Sequence, residues 1–135
     1  MKIIVSLCFG LISGAFVSAF GQNKALDDSI KRGQDIYQDF CVNCHMANGE
    51  GVAGSFPPLA KSDFLMKNRK KSIKAIKYGM QGEIVVNGQT YNNVMANLGL
   101  LESEVADVMN YITNSWGNKN EKAVTVKEVS EVKKQ

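Results

Sequence analysis

Apolar residues run almost unbroken from Ile3-Ile4-Val5 to Phe20 and then thin out into periodic patterns. Beyond residue 26 the spacing turns helical. Ile30, Gly33, Ile36, Tyr37 and Phe40 recur at three- and four-residue intervals behind Asp27-Asp28-Ser29, whose side-chain oxygens suit a helix N-cap. This predicts a first helix that ends at Cys41. Gly49, Gly51 and Gly54, followed by Phe56-Pro57-Pro58-Leu59, exclude a long helix or a central strand and predict a wrapping loop. One helical turn is expected around Phe64-Leu65-Met66. A short helix should carry Ile73 and Ile76, start from Asn68 or Ser72 and end at Gly79. Ile84-Val85-Val86 and Gln89-Thr90-Tyr91 flank Asn87-Gly88, a pair suited to the two positive φ angles of a type I′ turn, so a β-hairpin is expected. Val105, Val108, Met109, Ile112 and Trp116 mark a closing helix, with Glu102 and Glu104 in its first turn and Gly117 at its end. From Asn118 to Gln135 the chain is polar and charged. Thr125-Val126-Lys127-Glu128 has the form of a capping box there, and disorder is expected for most of the rest.

The amino terminus bears on compartment. Lys2, the apolar run and Ser18-Ala19-Phe20-Gly21 follow the charged, apolar, small-residue order of a secretory signal, cleaved after Ala19 or Gly21. A retained membrane anchor is the competing reading. It is weakened by Ser6, Gly10, Ser13, Gly14 and Ser18, and Cys8 after Leu7 does not suit lipid attachment. The expected organisation is a signal peptide over 1–21, one domain over 22–117 and a charged tail over 118–135, which makes the protein periplasmic. A domain of about a hundred residues is small for burying an apolar core unaided. The net charge of +3 over 135 residues names no partner and gives no indication of nucleic acid.

Cys41-Val42-Asn43-Cys44-His45 changes the picture most. Two thiols three residues apart, followed at once by an imidazole, form the arrangement that attaches c-type haem. Each thiol adds to one haem vinyl group, and His45 falls beneath the iron as proximal ligand. Zinc would need four ligands, but the chain has one histidine, and its third cysteine, Cys8, lies in the signal. A thioredoxin-like redox pair wants a βαβ setting, and a plain disulfide leaves His45 unexplained. A covalently held haem would also supply much of the missing core. Met46, Met66, Met80, Met95 and Met109 are the candidates for the sixth iron ligand. Met46 adjoins His45 on the proximal side, Met109 falls on the closing helix's apolar stripe, and packing or exposure is expected for Met66 and Met80. Met95 follows the hairpin in an irregular segment able to fold across the open haem face.

From about Ile30 to Gly117 the chain resembles the monohaem class I cytochromes c. Beyond the haem motif, Gly33 and Tyr37 stand eight and four residues before Cys41, where that family has a small residue and an aromatic that meet the closing helix. Val108 and Tyr111 match their partners. Phe56-Pro57-Pro58-Leu59 is similar to the family's proline loop, and the segments 82–88 and 91–95 are similar to bacterial members with a hairpin before the distal methionine. Ala96 stands where many relatives have proline, and Leu101 where a capping serine is common.

The resemblance implies an all-α small cytochrome c fold, three to four helices around one haem c, with a short β-hairpin ahead of the distal loop. It implies cofactor binding by Cys41, Cys44, His45, Pro57 and Met95, with His45 and Met95 on the iron and the Pro57 carbonyl orienting His45. A haem saturated in this way suits one-electron transfer between protein donors and acceptors that dock transiently, with no catalytic residue of its own. The alternatives are a haem subunit held permanently by a larger dehydrogenase, oxidase or reductase, and a haem enzyme or sensor whose methionine leaves the iron. Membrane contact is expected only through a partner complex or an uncleaved signal. The basic run Lys67, Arg69, Lys70, Lys71, Lys74 and Lys77 contains no acidic residue, and suits docking to an acidic partner or a solvated helix face.

Overall fold

The computed structural model describes residues 15–134, with side chains from residue 24 onward. Most of the segment read as an export signal lies outside the described residues. The elements in chain order are α1 (Ala15–Phe40), α2 (Val42–His45), α3 (Asp63–Lys67), α4 (Arg69–Tyr78), β1 (Ile84–Val86), β2 (Gln89–Tyr91), α5 (Glu102–Ile112) and α6 (Val126–Glu131). The fold is thus mostly helical with one small two-stranded sheet, as expected. No helix among the described residues is long and apolar enough to cross a membrane.

The frame is the crossing of α1 and α5. Gly33 makes it possible, because a Cβ at that position would sit 2.0 Å from the Asp107 carbonyl oxygen and 2.8 Å from the Tyr111 Cβ. One turn later, Tyr37 is fully buried, with its ring centroid 5.4 Å from that of Tyr111 and 5.0 Å from that of Trp116. The N-cap expected at Asp27-Asp28-Ser29 does not form, since α1 continues upstream of it. Ser29 instead turns inward, where its hydroxyl donates to Asp107 Oδ1 at 2.6 Å and accepts from Asn110 Nδ2 at 2.9 Å. Arg32 completes the cluster with two bonds to the Asp107 carboxylate. A mid-helix serine keeps its place here because its partners lie on the facing helix.

α5 begins without a side-chain cap from Leu101, and only the reciprocal bond of a capping box forms, the Glu104 carboxylate accepting from the Leu101 N–H at 2.7 Å. It ends at Ile112, four residues before the expected Trp116. Asn114 Nδ2 donates to the Asn110 carbonyl, Thr113 Oγ1 to that of Met109 and Ser115 Oγ to that of Tyr111. Side chains thus occupy the last carbonyls of the helix, and the backbone turns through positive φ at Trp116 and Gly117.

The tail is ordered rather than disordered. Val124, Val129 and Val132 join the main core, Thr125 accepts from the Glu128 N–H as the cap of α6, and Asn110 bonds both the N–H and the carbonyl of Val124. Arg69 forks onto Glu128 and also donates to the carbonyls of Lys122 and Ala123. Lys77 donates to Glu102 and to the carbonyls of Val129 and Val132. Val129 and Val132, one turn apart, with Val124 ahead of the helix, all hidden among lysines and glutamates, were the signal for this packing.

Candidate functional site

α2 is a single turn, and a single turn is what the haem motif needs. Positions i, i+3 and i+4 share a helix face, so Cys41, Cys44 and His45 are presented together to one cavity of about 260 Å³ with mostly apolar walls. The two sulfurs form no disulfide; Cys44 is exposed, whereas Cys41 is half-buried. Burial, with Cys44 beside it, pushes the Cys41 thiol up to about 11.

The loop after α2 fixes the imidazole. His45 Nδ1 lies 3.0 Å from the Pro57 carbonyl oxygen. A carbonyl only accepts, so Nδ1 carries the proton and Nε2 keeps its lone pair. Burial also lowers the pKa of His45, favouring the neutral ring that a metal requires. Gly51 lets Pro57 come this close: with φ at +64°, its Cβ would meet the Phe56 and Pro57 carbonyl oxygens at 2.3 and 2.8 Å. Tyr37 Oη anchors the start of the loop by donating to the Met46 carbonyl at 2.6 Å.

The opposite approach to the cavity is built by the hairpin. Its turn has positive φ at both Asn87 and Gly88, as a type I′ turn requires, and Asp63 and Asn87 each receive the other's backbone N–H on a side-chain oxygen. Past β2 the chain folds back along the end of α4. Asn93 Nδ2 donates to the Ser55 carbonyl, tying this segment to the loop below His45, and Met95 exchanges backbone hydrogen bonds with Met80. Met80 and Met95 are the two methionines on the cavity wall among the described residues; Met109 is fully buried in α5, and Met66 is exposed.

The structure therefore brings Cys41, Cys44, His45, Pro57 and Met95 around one cavity. It adds Met80, for which packing or exposure was expected. The signal for Met80 was its distance from the hairpin turn, equal to that of Met95. It also adds Ser72, which is 6 % exposed, lines the same wall and has a hydroxyl without a hydrogen-bond partner. A purely apolar occupant would leave that hydroxyl unsatisfied, whereas a haem carries carboxylates able to accept from it. The donor set fits the same group: two thiols, one neutral imidazole and thioether sulfur, within apolar walls.

The cytochrome c family model matches residues 30–116. The chain is 39 % identical over 110 residues to cytochrome c-552 of Thermus thermophilus, covering 75 % of this chain and 83 % of that one. It is 31 % identical over 105 residues to the cytochrome c subunit of a quinone-dependent alcohol dehydrogenase from Gluconacetobacter polyoxogenes, covering 75 % of this chain but 22 % of that subunit. To the gluconate 2-dehydrogenase cytochrome c subunit of Pantoea cypripedii it is 30 % identical over 126 residues, covering 80 % of this chain and 25 % of that subunit. The chain belongs to the cytochrome c family, and its cofactor is a covalently attached haem c.

Proposed function

We propose that the protein is an exported, periplasmic one-electron carrier whose haem iron is held by His45 and Met95. The observation that carries this reading is that one cavity receives both an imidazole with its Nε2 lone pair available and a thioether from a separate loop. Two internal ligands leave no open iron position, which favours electron transfer over chemistry on small molecules. A soft, uncharged sulfur favours Fe(II) and raises the potential. Cys41 and Cys44 hold the macrocycle, Pro57 fixes the His45 tautomer, and the apolar walls exclude water.

Partners dock transiently at the cavity mouth, where Cys44 is exposed and Phe40 and Val94 present 46 % and 71 % of their surface. That rim suits a small, wet interface. Residence in a larger dehydrogenase is the second reading, favoured by the cytochrome c subunits that the chain resembles.

Absorption spectra of the purified protein, reduced and oxidised, test the ligation. A low-spin haem c with the weak near-infrared sulfur-to-iron(III) band is expected, and a high-spin spectrum without that band defeats the His/Met reading. Purification of the native protein separates carrier from subunit: a carrier elutes alone and is reduced and reoxidised by added partners.

A further inference from the structure

The Asn87-Gly88 turn sets the position of more residues than the six in its strands. Val86 pairs with Gln89, Val85 with Thr90 and Ile84 with Tyr91. Counted outward on the same register, Met80 pairs with Met95, seven residues before Asn87 and seven after Gly88. Each donates its N–H to the other's carbonyl at 2.8 Å. Residues directly opposed in an antiparallel pair project to the same side, with Cβ atoms about 5 Å apart. Met80, Ile84 and Val86 on one arm and Tyr91, Asn93 and Met95 on the other line the cavity, with Val94 at its mouth, whereas Val85 faces outward at 53 % exposure. The ribbon therefore presents two thioethers side by side to the haem.

We propose that Met80 is a second axial ligand, which takes the iron when the Met95 sulfur leaves it. This assignment rests on Met95 being the ordinary ligand. The exchange breaks one iron–sulfur dative bond and forms another. Each sulfur keeps its own lone pair when off the iron, no proton moves, and the oxidation state of the iron is unchanged. A methionine side chain is unbranched and has three rotatable bonds, so a displacement of about 5 Å lies within its reach. Two features favour the exchange. Ala96, where a proline would stiffen the chain, leaves the Met95 side able to give way. Gly79 keeps Met80 in position: at φ +78° its missing Cβ would have met the Met95 carbonyl oxygen at 2.7 Å and the Asn97 nitrogen at 2.9 Å, so the two segments stay in close register.

A space-filling role at position 80 would be met equally by leucine, which cannot bind iron. The test compares Met95→Ala, Met80→Leu and the double variant, each with its covalent haem. The readouts are the near-infrared sulfur-to-iron(III) band, the upfield ε-methyl resonance of a ligating methionine in the reduced protein, and the midpoint potential. Met95→Ala is expected to keep the band with a displaced ε-methyl resonance and a potential close to that of the parent; the double variant should lose both signals and fall in potential. Met95→Leu, which preserves bulk, replaces Met95→Ala should the latter fail to fold. Loss of both signals in the Met95 variants, with both retained in Met80→Leu, overturns the proposal and leaves Met95 as sole distal ligand. Loss in Met80→Leu alone, with Met95→Ala identical to the parent, overturns the Met95 assignment and the exchange with it.

Discussion

Arg69 and Glu128 lie 59 positions apart in sequence and meet in a two-pronged ion pair, with Nε and Nη2 at 2.6 and 2.8 Å from the two carboxylate oxygens. Hydrogen bonding from Arg69 holds the Glu128 carboxyl below its ordinary value of 4.5. A depressed folded value means that the contribution is complete above pH 4.5 and disappears as pH falls through the lower folded value. Cleavage by pepsin within 118–134 should therefore rise as the pH is lowered through that range, ahead of cleavage elsewhere. Glu128→Gln should already show this release at pH 5, at a cost of about 1 kcal/mol or less for a partly exposed pair. Arg69→Ala should cost more, since the carbonyls of Lys122 and Ala123 lose their donor as well.

Covalent attachment has a direct assay. Cys41→Ala or Cys44→Ala should leave haem held by one thioether and the protein poorly matured, and the double substitution should remove covalent haem altogether. Haem staining after denaturing electrophoresis checks this. Undiminished staining of the double variant would refute attachment at these two sulfurs.

Gly33→Ala tests the helix crossing. The added methyl would stand 2.0 Å from the Asp107 carbonyl oxygen, and backbone yields far less readily than a side-chain tip. A loss of about 3 kcal/mol, the upper end for overpacked sites, is expected in denaturant unfolding of the holoprotein. Gln34→Ala, next to it on the exposed face of α1, should leave stability within about 0.5 kcal/mol of the parent.

The basic run divides in two. Arg69 and Lys77 are committed to the tail, whereas Lys70, Lys71 and Lys74 lie on the exposed side of α4 with Lys67 just ahead of them, and none of these four forms an ion pair among the described residues. If this face steers an acidic redox partner, reversing Lys70, Lys71 and Lys74 to glutamate should slow bimolecular electron transfer several-fold at low salt. The difference should shrink as the Debye length falls to about 8 Å near physiological ionic strength. Stopped-flow reduction across a salt series measures it. Wild-type rates at every salt concentration would reduce the face to a solvated surface.

How much was legible in the sequence depended on whether the signal was local. The Asn87-Gly88 turn is local and forms where expected, and the α5 stripe is local too, although the helix stops at Ile112 where side chains of residues 113–115 take its last carbonyls. The start of α1 was misjudged because Ser29 has an N-cap's chemistry, yet finds its partners on α5, 78 and 81 positions away. The tail was misjudged because its charges outnumber its valines, and the Arg69 and Lys77 contacts that hold it are long-range. Pro57 and Met95 line the cavity, and the Pro57 carbonyl lies 3.0 Å from His45 Nδ1. The place of Met80 opposite Met95 follows from the hairpin register across 15 positions rather than from the helix beside it.

That register makes the turn at Asn87-Gly88 the point from which the places of Met80 and Met95 on the cavity wall are measured. Side chains alternate across a ribbon, so one residue inserted into either arm would send that arm's methionine to the outer face while its counterpart stayed within. Lengthening the turn itself would leave both arms in phase. Natural variation in this segment should therefore concentrate between residues 86 and 89, and the seven-residue arms on either side should tolerate changes of side chain far better than changes of length.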